Sequence, residues 1–210
     1  MIKAVIFDLW NTLIKPTYDD HTIKLIKEMY GFSDEFHRKH VKRGVMTTPL
    51  NSTEEIVNYI TQAFGKNNVN KKQFQELEER IEKDKNMIEL YDDTIKTLEY
   101  LKDNNVKIAL ISNAATFHKD PLYKFGLDKY FDYVCFSCDV GYWKPQKEIY
   151  KITLENLGLK PEETIMIGDN KQKDFEMPKE IGINGLHLNR NNSTKNPHTI
   201  NSLYEIREYL

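Results

Sequence analysis

The stretch Ala4-Val5-Ile6-Phe7-Asp8-Leu9-Trp10-Asn11-Thr12-Leu13 decides how this chain is read. Four apolar residues run without interruption and end on a carboxylate. A short continuous apolar run suits a parallel strand covered on both faces. Comparable runs recur at 107–111, 133–137, 164–167 and 185–188. Helical patterns fit between them at 93–104, 121–125, 145–157 and 175–181. Pro121 and Pro145 suit first-turn positions, where a missing N–H costs nothing, and Gly158 reads as a helix stop. Repeated strand–helix units imply an α/β fold, a doubly wound parallel sheet of Rossmann type with right-handed crossovers.

Residues 15–90 interrupt this alternation and read as helical throughout. Ile23, Ile26 and Tyr30 share a face, and Ser52 with Glu55 forms a capping box before Ile56, Tyr59, Ile60 and Phe64. Phe74, Leu77 and Ile81 form a stripe in a charged segment at 71–87. The expected organisation is therefore an α/β core of 1–14 and 91–210 with a helical insert of 15–90. Residues 189–196 are polar and read as a loop before a short terminal helix.

Bulk properties remove several function classes. The 210 residues carry 30 Lys and Arg against 32 Asp and Glu, a net charge of -2. That balance gives no basic excess for a nucleic-acid partner. No apolar stretch reaches the roughly 20 residues of a membrane span, and no cleavable signal pattern opens the chain. The expectation is a cytoplasmic protein acting on a small molecule. Cys135 and Cys138, a lone C-x-x-C pair, read as structural thiols. Oligomeric state is not encoded in any pattern.

Ligands of open α/β sheets bind beyond the carboxyl ends of the strands. Asp8, Ser112 and Asp169 each follow a strand run, and Lys144 follows the third run after a short loop. A carboxylate, a hydroxyl, an ammonium and further carboxylates would then converge. That set fits phosphoryl transfer through an aspartyl-phosphate. A carboxylate attacking a phosphate dianion needs cations nearby, and Mg²⁺, which prefers oxygen ligands, suits the carboxylates.

Four segments in order, Asp8 with its flanks, Ser112-Asn113, Gly141-Tyr142-Trp143-Lys144-Pro145, and Gly168-Asp169 with Asp174, resemble the signature motifs of the haloacid dehalogenase-like hydrolase superfamily. The resemblance implies that residues 15–90 are its cap. It implies Asp8 as nucleophile and, with Asp169 and the main-chain carbonyl of Trp10, as Mg²⁺ ligand, with Asp174 behind them or as an alternate ligand. Lys144 would neutralise the transferring group, and Ser112 with the N–H of Asn113 would donate to phosphoryl oxygens. Thr12 would orient the nucleophile loop. Trp10 would face the substrate together with Ser112, Asn113 and Lys144.

Trp10 departs from the phosphatase pattern, which carries there an aspartate that protonates the leaving group and then activates water. Indole has one donor N–H and no acceptor that titrates. An aromatic residue at this position resembles the 2-haloacid dehalogenases, whereas the intact Gly168-Asp169 argues for a metal-dependent phosphatase. A third reading is a non-catalytic protein that binds a phospho-ligand or partner. His21, Asp19 and Asp20 are the nearest candidates in sequence to replace the lost base. Tyr142 and Trp143 could wall the substrate or pack the insert. His37 and His40, with Arg38 and Arg43, read as a solvated face, His118 as a surface residue, and His187 as a hydrogen-bonded structural one. The expected substrate is a small phosphomonoester.

Overall fold

The opening run is the centre of the sheet. A computed structural model describes residues 1–19, 21–191 and 196–210. Strand β1 (Ala4–Phe7) is flanked by β4 (Lys107–Ser112) and β6 (Thr164–Gly168), and the sheet continues outward to β5 (Tyr133–Phe136) on one side. On the other side lie β7 (Asn184–Leu188) and β8 (Thr199–Ile200). Every neighbouring pair is parallel. The strands after β1 leave it first in one direction and then in the other, so a topological switch lies beside β1, where ligands of such sheets bind.

Burial on both faces explains the unbroken apolar runs. Val5 and Phe7 point into a cluster with Leu98, Leu101 and Leu122. Ala4 and Ile6 point to the opposite face, against Ile149, Tyr150 and Leu157. Successive side chains alternate faces, so a strand sandwiched by helices must be apolar at every position.

The interruption is not helical throughout. Strands β2 (Ile14–Pro16) and β3 (Ile88–Leu90) pair antiparallel at its two ends and make a ribbon that carries the helices. Between them lie helices Thr22–Tyr30, Thr53–Phe64 and Lys71–Asn86, and a continuous helical stretch over 34–46 that contains a π-turn at His37–Val41. Their apolar faces meet in a second cluster built on Ile26, Val41, Val45, Ile56, Ile60 and Leu77, with Ala115 and Phe117 contributed by the segment that follows β4. Ser52 accepts from the N–H of Glu55 at 3.1 Å, but the Glu55 carboxylate accepts from Asn51 instead of closing the capping box. The helix expected at 145–157 begins at Lys147, and the one expected at 175–181 is preceded by a π-turn at Lys171–Glu176. Residues 192–195 of the expected polar loop lie outside the described residues, and the terminal segment is a 3-10 helix over Leu203–Tyr209. No helix among the described residues is long and apolar enough to cross a membrane. Cys135 and Cys138 are buried and free.

Asp93 fastens the C-terminal segment to the core. Its carboxylate accepts both guanidinium N–H groups of Arg190 at 2.9 Å, the hydroxyl of Ser202 at 2.8 Å and the N–H of Leu203 at 2.9 Å. Arg190 reaches on to the carbonyl of Thr12 at 2.7 Å and so braces the loop after Asp8. Burial works against the charge of Asp93, but these donors outweigh it and hold its carboxyl below the ordinary range. Removing one partner of such a buried pair strands the other, at a cost of about 3–5 kcal/mol. Asp93→Ala is expected to lose about that much in urea denaturation at pH 7. The loss shrinks in acid, because the stabilisation from a depressed carboxyl disappears as pH falls through its folded value.

Candidate active site

Three strand ends set the site. The Asp8 N–H donates to the carbonyl of Ile167 at 2.9 Å, extending the β1–β6 ladder by one residue and fixing where the Asp8 side chain emerges. Lys144 Nζ lies between two carboxylates, 2.8 Å from Asp8 Oδ1 and 2.7 Å from Asp174 Oδ1, and is only 2% exposed. The side-chain amide of Asn113 grips the main chain of Lys144 from both sides. It accepts from the Lys144 N–H at 2.7 Å and donates to its carbonyl at 2.8 Å. Asp174 is fully buried, and its Oδ2 accepts from the Asn170 N–H at 3.0 Å. A Cβ at position 168 would lie 2.3 Å from that same oxygen, so only glycine lets Asp174 approach β6 this closely.

Asp8, Asp169 and Asp174 can each present one oxygen within 4.8 Å of the others. A single ammonium does not offset three carboxylates. Burial, aided by repulsion from Asp174 and Asp169, pushes the Asp8 carboxyl up to about 7 despite the opposing pull of Lys144. Burial and Asp174 raise Asp169 likewise, against Lys144 and a hydrogen bond from Asn11. For Lys144, burial opposes the charge, but Asp174 and Asp8 outweigh it and raise its proton affinity. An all-oxygen donor set with surplus negative charge fits a hard divalent cation. The Ser112 hydroxyl at the end of β4 is buried with no hydrogen-bond partner, and so is that of Thr12. Buried hydroxyls are ordinarily paired, so an unpaired one at the end of the strand that neighbours β1 points to a ligand as its missing partner.

A cavity of about 620 Å³ opens over this floor. Asp8, Trp10, Asn113, Lys144, Asp169 and Asp174 line it, while Ser112 and Thr12 are buried and do not. Trp143 lines the cavity and packs against the insert, whereas Tyr142 is exposed. Of the residues named to replace the lost base, His21 lines the cavity, Asp19 does not, and Asp20 lies outside the described residues. His187 bonds the carbonyl of Asp169 at 3.0 Å, as expected of a structural histidine.

Other histidines need correction. His118 is buried, not on the surface: it sits 3.4 Å from the buried carboxylate of Asp84, and the Trp10 ring meets it edge-on at 5.3 Å. Asp84 also accepts the N–H of Thr22 at 2.9 Å, so this joint ties two insert helices to the core beside Trp10. His37 is buried and lines the cavity, while His40 is exposed; Arg38 lines the cavity and Arg43 does not. Sequence reasoning missed Asp84 and Asn11. Asn11 adopts a left-handed φ of 59°, a conformation asparagine tolerates better than most residues, and this was the one local signal available.

A family model for haloacid dehalogenase-like hydrolases matches residues 2–182. The chain belongs to that family. A glyceraldehyde 3-phosphate phosphatase of Methanocaldococcus jannaschii is 35% identical over 123 residues, 55% of this chain and 54% of the relative. The match thus spans about half the length of that relative. A phosphorylated carbohydrates phosphatase of Thermotoga maritima is 26% identical over 191 residues, 89% of this chain and 84% of its own. Among solved structures, a haloacid dehalogenase-family phosphatase from Thermococcus onnurineus superposes with a TM-score of 0.65 at 26% identity, covering 99% of this chain and 97% of the other.

The charge imbalance at this hydrolase's site has a measurable signature. The Asp8 carboxyl is raised from 3.8 to about 7, so the stability tied to it is present in acid and is lost as pH rises through that interval. Asp8→Asn removes one of the competing charges and leaves Lys144 its bond to Asp174. In chelator, the variant is expected to be more stable than the parent at pH 8, by on the order of 1 kcal/mol. The difference should vanish near pH 4. A difference of equal size at both pH values would contradict this account of the cluster.

Proposed function

We propose that the chain is a Mg²⁺-dependent phosphatase of small phosphomonoesters, working through an aspartyl-phosphate on Asp8, with residues 15–90 as a cap over the site. One observation carries the reading: a strand-end carboxylate pinned through one oxygen by a buried ammonium, inside a cluster of three carboxylates, with an unpartnered buried hydroxyl at the end of the neighbouring strand. The phosphatase relatives support it. Two buried free thiols accord with a reducing, cytoplasmic setting.

Lys144 holds Asp8 Oδ1, which leaves Oδ2 for in-line attack on phosphorus. Asp8, Asp169 and the carbonyl of Trp10 would hold Mg²⁺, with Asp174 behind them. When bound, the ion supplies charge neutralisation at the phosphoryl oxygens. Ser112 Oγ and the Asn113 N–H donate to those oxygens, while the Asn113 side chain keeps Lys144 in place. Thr12, whose carbonyl is braced by Arg190, steadies the loop that carries Asp8.

Trp10 takes the place of the acid and base. Its indole packs against His118 and cannot move a proton to the leaving group or from water. General acid–base assistance is typically worth about 10² to 10⁴ in rate. Esters with good leaving groups should therefore phosphorylate Asp8 readily and release phosphate slowly. With an aryl phosphate and Mg²⁺, the expected course is a burst close to one equivalent followed by a slow steady state, both absent in Asp8→Asn. Trp10→Asp should raise the steady-state rate by about 10² or more, provided its melting curve shows that it folds. Halide release from a 2-haloacid without Mg²⁺, and no aryl phosphate turnover, would instead support dehalogenase chemistry.

A further inference from the structure

The cavity lining holds cations that the phosphoryl site does not use. Lys42 comes from the insert, and Lys173 from the turn that precedes Asp174. Both are partly buried, and neither makes an ion pair among the described residues. Lys27, in the same lining, is by contrast neutralised by Asp34 at 2.7 Å. Lys42 and Lys173 lie close enough to sense one another, for burial and then the charge of Lys173 hold the Lys42 ammonium below its ordinary proton affinity. The helix end carrying Lys42 is anchored, since the Ser137 hydroxyl donates to the carbonyl of Met46 at 2.6 Å.

A third group belongs to the same place. His37 is 7% exposed and lines the cavity, and its Nε2 has no partner. The main chain of Ile23 also bonds the ring. Burial, and then the nearby charges of Lys42 and Lys27, oppose protonation of its ring. Buried or half-buried cations are ordinarily paired, and two like charges held together gain from any anion that meets both. Such an anion would also make the free Nε2 of His37 a better proton acceptor and hence a donor to it.

We propose that Lys42, Lys173 and the buried imidazole of His37 form a second anion subsite, and that the substrate is a small phosphomonoester bearing another anionic group, a carboxylate or a second phosphoryl. The word substrate here rests on the phosphatase reading; the subsite does not.

Binding and turnover separate the two. Trp10 and Trp143 both line the cavity, so tryptophan fluorescence reports occupancy. Three non-hydrolysable probes are titrated with free Mg²⁺ held constant: ethylphosphonate, phosphonoacetate and methylenediphosphonate. The doubly anionic probes, or one of them, should bind about tenfold more tightly than ethylphosphonate, and which one gains identifies the second group. Lys42→Met should cut that ratio to about two- or threefold, Lys42→Arg should keep most of it, and added salt should shrink it. Removing a like charge is not expected to unfold the protein, which a melting curve checks. Equal affinities in the parent, or a ratio that survives Lys42→Met with Lys173→Met, would overturn the subsite. In parallel, phosphoglycolate and ethyl phosphate are compared as esters. Absence of turnover with the binding preference intact defeats the phosphatase reading alone. Turnover of both esters at equal kcat/KM, with equal probe affinities, defeats the subsite alone.

Discussion

The Lys144 ammonium between Asp8 and Asp174 is the contact on which the site depends. Two carboxylates cannot both stay ionised side by side in a protein interior without a cation, because each loses hydration and repels the other. Lys144 makes the juxtaposition tolerable, and much of the nearby structure serves to hold it. Asn113 clamps its backbone with both ends of one amide. Gly168 lends the space in which Asp174 reaches it. The Tyr150 hydroxyl, donating to the carbonyl of Lys173, steadies the turn behind Asp174. Even so, one positive charge faces three carboxylates, so the cluster favours a further cation.

Trp10 has a structural part as well as a chemical deficit. Its ring lies edge-on against His118, which faces Asp84 on the 71–86 helix, which in turn accepts from the first turn of the 22–30 helix. An acid at position 10 would replace this packing with a group that prefers water. If position 10 is where the phosphatase acid and base would stand, the tryptophan exchanges proton transfer for a packed joint between insert and core. On the proposed reading, slow turnover and a well-seated insert are two consequences of one side chain.

Much of this was legible in the residues. The sheet could be read because parallel strands covered on both faces must be apolar at each position, as Ala4 to Phe7 are. Asp8, Ser112 and Asp169 could be placed because each follows such a run. The ribbon of β2 and β3 could not, since three residues carry no period and the partners lie at opposite ends of the insert. His37 was misread because a π-turn begins there. Extra residues per turn rotate the helix face, and positions that an α-period assigns to solvent swing inward. The clamp of Asn113 on Lys144 joins residues 31 apart through a side chain and a backbone, a pairing without a sequence signature. The burial of His118 is likewise decided by a helix distant in sequence.

On the proposed reading, the carboxylates and lysines that line one cavity make cation and substrate interdependent. Without a divalent ion, the carboxylate floor repels a phosphoryl group while Lys42 and Lys173 attract any anion, so a doubly charged ligand would be held by the lysines alone. With the ion in place the floor becomes attractive, and a two-headed anion can satisfy both the ion and the lysines in one orientation. Binding linkage is reciprocal: whatever the ion adds to substrate affinity, the substrate adds to ion affinity. Proton release belongs to the same balance, because an Asp8 carboxyl poised near 7 must lose its proton to hold the ion or to attack. On that reading, orientation of the substrate, ionisation of the nucleophile and capture of the metal follow from one charge distribution, negative at the strand ends and positive at Lys42 of the insert and Lys173 of the turn before Asp174.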